Sequence, residues 1–249
     1  MAKIDHQERL DIHNSDIPEL CRSCEARHKG ICGALSAQQL TALSKKTFKK
    51  NHRAETELVA SDKDINTYSN ILRGVVKLTK LMADGRQQIV GLQFAPDFLG
   101  RPFKRQSGVI AEAATDVFVC SFPAQVLDEM IAESPELEHK LHEQALEELD
   151  EARDWMLTLG RKTASEKVAS FLLMIANHID PEAPDNEETI RFELPLKRSD
   201  IADFLGLTIE TVSRQITKLR QMGVIEIENN RTVIVSDLYR LEEAAETQR

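Results

Sequence analysis

The stretch Ser199–Val235 reads SDIADFLGLTIETVSRQITKLRQMGVIEIENNRTVIV. Ser199 is placed to cap a short helix over Asp200–Leu205, since a serine oxygen accepts the unpaired N–H groups of a first turn. Gly206-Leu207 then makes a tight turn, and Thr208 caps a second helix that runs to about Met222. Apolar Ile201, Ala202, Leu205, Leu207, Val212, Ile216 and Leu219 hold the two helices together. Gly223 stops the second helix. Val224–Ile227, a turn at Asn229-Asn230 and Thr232–Val235 follow as a hairpin. A helix pair joined by a glycine turn is common on its own. Helix, turn, helix and hairpin in this order and at this spacing predict a winged helix-turn-helix that binds DNA.

The exposed face of the second helix carries Glu210, Thr211, Ser213, Arg214, Thr217 and Lys218. Arg214 suits guanine O6 and N7, Glu210 accepts from cytosine N4, and Ser213 tunes the adjacent step. Thr208, Thr211 and Lys218 suit phosphate contacts that set register. The net charge of −9 argues weakly against a polyanionic partner. That charge is segregated, however. Glu133–Asp154 is crowded with acids, whereas from Leu194 to Gln221 Lys197, Arg198, Arg214, Lys218 and Arg220 outnumber Asp200, Asp203 and Glu210. A locally basic patch is compatible with a small DNA footprint.

Upstream, a long helix is expected over about Pro135–Leu159, with Pro135 in its first turn and Ser134 as N-cap. Leu137, Leu141, Ala145, Leu149, Ala152, Met156 and Leu159 recur at steps of three and four. A helix packed on its own domain and a self-pairing helix both give this stripe. The DNA-binding unit that follows tilts the reading toward a dimer seam of Leu141, Ala145, Leu149, Ala152, Met156 and Leu159. Glu147, Glu148, Asp150 and Glu151 crowd beside the seam and oppose pairing by like-charge repulsion.

From about Thr47 to Phe122 the pattern is that of short strands. Tyr68–Leu81 ends at Asp84-Gly85, a hairpin signal, and Gln88–Phe94 returns. Gly91, Pro96, Gly100 and Pro102 punctuate the next stretch, and Asp116–Phe122 alternates again. This predicts an antiparallel barrel or roll. Residues 1–35 are polar, rich in His and Cys and without clean periodicity, which predicts an irregular, metal-organised lobe.

The four cysteines fall in that lobe and in one strand: Cys21, Cys24 and Cys32 form C-x2-C-x7-C, and Cys120 stands alone. Three thiols on a loop and a fourth on a strand suit a cubane iron–sulfur cluster or a tetrahedral zinc; a disulfide framework is the third option. Cys120 alone reads as a small buried hydrophobe, and His28 is a candidate replacement ligand. The charged N-terminus has no signal-peptide core, and no apolar run reaches membrane-span length. The expectation is a reducing cytoplasm and no membrane, where clustered cysteines bind metal or do redox work. No Ser/His/Asp or HExxH pattern is present, so no enzyme is expected.

Together these residues resemble the FNR branch of the CRP/FNR superfamily of bacterial transcription regulators, over nearly the whole chain. Glu210, Ser213 and Arg214 match its E-x-x-S-R recognition motif, and Cys21, Cys24, Cys32 and Cys120 match its cluster ligands. The seven-residue gap is longer than the enteric five and resembles the alphaproteobacterial variant. The resemblance implies an α+β architecture. Its parts are a cluster-binding region (1–35), a cyclic-nucleotide-binding-like antiparallel β-roll sensor domain (36–130), a dimerisation helix (131–160) and a winged helix-turn-helix (161–249). It implies an oxygen-labile [4Fe–4S] cluster and a homodimer that forms under anoxia. That dimer binds palindromes like TTGAT-N4-ATCAA, works with RNA polymerase as an activator, and controls genes of anaerobic or microaerobic respiration. Cyclic-nucleotide relatives carry a Gly-Glu and an Arg-Ser/Thr pair. This chain has Asp97–Pro102 and Ser107–Ile110 there, with Arg101 or Arg105 as solvated loop arginines, so no cyclic nucleotide is expected. The alternatives are a superfamily regulator with structural zinc or another effector, and a small Fe–S electron-transfer protein.

Overall fold

The computed structural model describes residues 17–22, 24–61, 63–102, 104, 106–179 and 189–246. The start of the expected N-terminal lobe, and Arg105, lie outside the described residues. In chain order the elements begin with α1 (Glu19–Arg22), α2 (Glu25–His28), a 3-10 turn (Ile31–Ala34) and α3 (Ala37–Ser44). Eight strands follow: β1 (Phe48–His52), β2 (Glu57–Val59), β3 (Thr67–Arg73), β4 (Val76–Leu81), β5 (Gln87–Gln93), β6 (Phe98–Leu99), β7 (Ile110–Ala113) and β8 (Val117–Pro123). Then come α4 (Ala124–Glu133), α5 (Pro135–Arg161), α6 (Ala164–Ile179) and β9 (Ile190–Glu193). The chain closes with α7 (Arg198–Leu205), α8 (Ile209–Gln221), β10 (Glu226–Glu228), β11 (Thr232–Val235) and α9 (Leu238–Ala245).

The chain divides into two compact units, one reaching to Val76 and including Gln93–Leu146, the other Lys77–Leu92 with Glu147–Arg249. In the first, a sheet runs in the order β1-β8-β3-β6, with antiparallel pairing throughout. β2 and β7 pair antiparallel beside a bulge. The α+β class and the antiparallel roll are as expected. The stretch Tyr68–Leu81 is two strands rather than one, because Gly74 takes φ +94° and a Cβ there would stand 2.4 Å from the Asp116 carbonyl oxygen. Only glycine meets both conditions. α4 and the start of α5 close the core with Leu127, Ile131, Leu137 and Leu141 against Tyr68, Phe98 and Phe122. Ser134 caps α5 as expected, its hydroxyl accepting from the Leu137 N–H at 3.3 Å. The lobe expected to be irregular holds α1, α2 and a 3-10 turn, each of four residues; α3 follows it, with Ser36 and Gln39 forming a capping box. One-turn helices are too short to show a period.

In the second unit, α6 is almost wholly apolar on its buried side, with Val168, Ala169, Phe171, Leu172 and Ile175 fully buried. The wing is a three-stranded sheet in the order β10-β11-β9. Asn229 and Asn230 both have positive φ (50° and 57°), the left-handed pair that a tight hairpin turn demands. The first wing strand is Glu226–Glu228, because Val224 and Ile225 turn inward at 5% and 2% exposure. Ser199 is not the cap of the first helix of the pair. α7 begins at Arg198 behind Lys197, whose side chain makes no capping bond. Trp155 of α5 packs at 4.6 Å against Phe204 of α7, the rings tilted by 59°, and Phe204 also meets Phe171 at 6.0 Å.

Candidate metal centre and nucleic-acid interface

The cysteines reach one place by four local routes. Cys21 is in α1, Cys24 is the extended N-cap of α2, Cys32 is in the 3-10 turn, and Cys120 is in β8. The chain around Cys32 packs closely on α2 because a glycine on each side allows it. A Cβ on Gly30 would lie 2.9 Å from the Ala26 carbonyl oxygen, and one on Gly33 would lie 2.8 Å from that of Arg27. In β8, Val117, Val119 and Ser121 are buried while Cys120 alternates to the other side, opposite Lys49 of β1 and Asn70 of β3. All four thiols line one cavity, closed by Leu40, Leu43 and Phe122 and edged by Arg27, Lys49 and Asn70. His28 is not among its lining residues; its Nε2 lies 3.4 Å from the Arg22 carbonyl oxygen.

The electrostatics are those of thiols that resist becoming thiolates together. Burial, then repulsion from Cys24, Cys120 and Cys21, pushes Cys32 up to about 12. Burial, then Cys24 and Cys21, pushes Cys120 up to about 11, partly opposed by Lys49 and a Thr47 hydrogen bond. Cys21 is raised by burial and then by Cys24. Asn70, 1% exposed, donates its Nδ2 to the Cys32 sulfur at 3.3 Å, and its Oδ1 has no partner. Donors aimed at sulfur, nearby cations and thiols that oppose one another's ionisation fit a cationic inorganic core that draws the thiols into their charged form. Among the described residues, no three His, Cys, Asp or Glu side chains converge closely enough for a single metal ion.

The second set lies on α8. Gly206 ends α7 in the left-handed conformation (φ 62°), and Thr208 caps α8 by accepting from the Thr211 N–H at 3.2 Å. Val212, Ile216 and Leu219 are at most 3% exposed, which fixes the helix's rotation about its axis. Glu210, Ser213, Arg214, Thr217 and Lys218 are consequently exposed, as is Thr208, while Thr211 is half-buried. The Glu210 carboxyl is held below its usual range by its own backbone N–H and by the Thr208 hydroxyl, so it stays an acceptor. No hydrogen bond or ion pair within the described residues engages the Arg214 guanidinium.

A polar seam unseen in the sequence holds α7. The hairpin Lys77–Leu92 lies in the same unit: Lys77 pairs with Asp200 at 3.2 Å, Gln87 donates to Asp203 at 2.7 Å, and Gln88 donates to the Phe204 carbonyl oxygen at 3.0 Å. Pairs separated by over a hundred residues leave no local signal in the sequence. On α5 the expected seam residues divide. Leu141 is buried in its own unit, Leu159 is half-buried, and Ala145, Leu149, Ala152 and Met156 are exposed. Leu146 and Leu157, which periodicity passed over, are 60% and 59% exposed.

Residues 166–244 match the Crp-like helix-turn-helix domain family. The chain is 39% identical to the transcriptional activator protein FnrL of Cereibacter sphaeroides, covering 90% of this chain and 91% of that one. This chain belongs to the CRP/FNR superfamily of transcription regulators. It is also 56% identical to a protein of Rhizobium leguminosarum bv. viciae named "Probable transcriptional activator", over 94% of this chain and 96% of the other. In three dimensions it resembles FixK2 of Bradyrhizobium japonicum, with a TM-score of 0.72 and 30% identity, covering 82% of this chain and 99% of that one. As a superfamily member with a Crp-like helix-turn-helix, it is a DNA-binding regulator. Among the described residues, no helix is long and apolar enough to cross a membrane.

Proposed function

We propose that this chain is an oxygen-responsive transcriptional activator of the cytoplasm. In this reading Cys21, Cys24, Cys32 and Cys120 hold a [4Fe–4S] cluster in the region 1–35 and the β-roll 36–130. The chain dimerises under anoxia through the helix 131–160. Its winged helix-turn-helix, 161–249, binds TTGAT-N4-ATCAA-like palindromes and works with RNA polymerase on genes of anaerobic or microaerobic respiration. The observation that carries the reading is the convergence of all four cysteines on one cavity. The names of FnrL and of the Rhizobium relative support the activator part of the reading.

When bound, the cluster supplies the positive charge that four thiolates need, in a form that oxygen attacks. The rest belongs to the chain. α1, α2 and the 3-10 turn are far below the length at which a helix is stable alone. Cys21 and Cys32 pack against the core that includes Leu137 and Leu141 of α5. A segment tied to Cys120 by shared ligation therefore buttresses the first turns of α5; four free thiols, which nothing ties together, do not. Further along α5, Leu146, Leu149, Met156 and Leu157 are exposed by 60%, 43%, 71% and 59%, an apolar surface suited to a second copy. Pairing sets two α8 helices at about 34–36 Å, one turn of DNA, so that weakening the pair weakens binding steeply.

The test is fluorescence anisotropy with a duplex bearing the palindrome, on anoxically purified protein before and after air. Wild type binds and is released by air, whereas Cys120→Ser binds weakly in both states. Binding indifferent to air and to Cys120→Ser overturns the reading.

A further inference from the structure

We infer that Asn70 is a positioning residue for the cluster, its amide N–H holding the Cys32 sulfur and setting how readily the inorganic core gains or loses an electron. This role rests on the cluster-binding reading of the four cysteines. Asn70 lies within β3, opposite Cys120 of β8 on one side and Phe98 of β6 on the other. Pairing on both sides fixes its backbone. Directly opposite residues of neighbouring strands face the same way, so Lys49, Cys120 and Asn70 form one row across β1, β8 and β3. From that row the Asn70 side chain reaches Cys32 in the 3-10 turn, with Nδ2 3.3 Å from the sulfur. The strand that faces one ligand thus also holds a second.

Nothing in the fold alone asks for asparagine here. The residue type is depleted in strands. Asn70 is 1% exposed and its Oδ1 is buried without a partner, a cost that an apolar side chain of the same shape would not carry. The hydrogen bond that the amide does make is to sulfur. A thiol is a weak acceptor, whereas a thiolate takes a charge-assisted bond about twice as strong as a neutral one. The amide is therefore poorly satisfied beside a free thiol and well satisfied beside a thiolate that ligates a core. An N–H on a ligand sulfur offsets negative charge, and such bonds are one means by which a protein sets a cluster's potential. An electron added to the core increases that charge, so the bond favours the reduced side. When dioxygen takes one electron from the core and becomes superoxide, the bond opposes the transfer. Asn70 thereby slows the response to air.

The experiment compares full-length wild type with Asn70→Leu, which keeps the size of the side chain and removes the donor. Anoxically purified protein is titrated with dithionite in the presence of redox mediators and followed by visible absorption. The one-electron equilibrium is expected to shift about three- to tenfold toward the oxidised form, which is a potential lower by about 30–60 mV. In air the variant is expected to bleach faster by a similar factor, about three- to tenfold, since part of one charge-assisted hydrogen bond is lost. Urea unfolding of cluster-free protein separates this role from packing. The variant's midpoint there is expected to equal or exceed that of wild type, because the unpaired carbonyl leaves with the amide. A variant equally stable without the cluster that loses its iron more readily also supports the hold on Cys32. An unchanged potential with unchanged bleaching overturns the inference, as does a lower cluster-free midpoint, which makes Asn70 a packing residue. A wild type that carries no iron and sulfide marks failure of the cluster reading itself, and the role of Asn70 falls with it.

Discussion

The hairpin Lys77–Leu92 should act as a clamp on α7, and removing its lysine should loosen the helix pair that carries the reading face. Lys77 Nζ lies 3.2 Å from Asp200 Oδ2, with the two side chains only 12% and 17% exposed. Lys77→Met leaves the Asp200 carboxylate largely desolvated without its cation. Breaking a buried pair in this way costs about 3–5 kcal/mol. The residual exposure, and the neighbouring bonds from Gln87 to Asp203 and Gln88 to Phe204, put the loss at about 3 kcal/mol, the lower end of that range. Hydrogen exchange resolved to peptides is the suitable assay, because a two-unit chain need not unfold in one step. Amides of α7 and the hairpin should exchange about a hundredfold faster, while those of β3 and β8 are unchanged. Lys77→Met with Asp200→Leu, which removes both charges, should recover most of the protection. An α7 that exchanges at the wild-type rate in Lys77→Met, or a double variant as loose as the single, refutes the clamp.

Three further outcomes follow from the sites. Arg214→Ala should cost about 1–3 kcal/mol per half-site and abolish preference for TTGAT over a variant lacking its G·C pair; competition binding at fixed salt reads this, and an unchanged preference removes Arg214 from base contact. Neutralising Glu148, Asp150 and Glu151 to Gln, Asn and Gln should strengthen the air-exposed dimer in sedimentation, since all three are exposed on α5; an unaltered monomer–dimer balance rules out charge repulsion as the counterforce. In cluster-free protein, Cys32 at about 12 and Cys120 at about 11 keep protons that the unfolded chain releases above roughly pH 8.5. The folded state is then the more protonated one, so stability is full below that pH and falls as pH rises toward the folded values. Urea midpoints between pH 8 and 10 should decline, and Cys32→Ser with Cys120→Ser should flatten the decline.

How much of this was legible in the sequence depended on range. The helix pair, the Ser134 cap, the Asn229-Asn230 turn and the exposure of Glu210, Ser213 and Arg214 are set by residues within a turn or two, and each was readable. So was the pairing of the cysteine run with Cys120, as a proposal from composition, although only tertiary structure brings the four around one cavity. Ser199 is not the cap because an acceptable capping residue does not exclude a start two residues earlier. Gly74 was passed over because its need for positive φ comes from the approach of Asp116, forty-two positions away in the chain. β9 was invisible for a similar reason, since its order comes from pairing with β11. The Lys77, Gln87 and Gln88 contacts are side-chain pairs across the fold, which no periodicity encodes. On α5 the exposed Leu146 and Leu157 lie beside the stripe that spacing selected, because the first turns of the helix spend Leu137 and Leu141 on the core of their own unit.

The most direct test of the central claim is to measure iron, acid-labile sulfide and visible absorption on protein purified without oxygen, with a palindromic duplex present while air is admitted. The expected result is a brown protein with iron and sulfide in equal amounts, whose colour and DNA binding disappear together. A colourless protein that holds the duplex equally with and without air would contradict it.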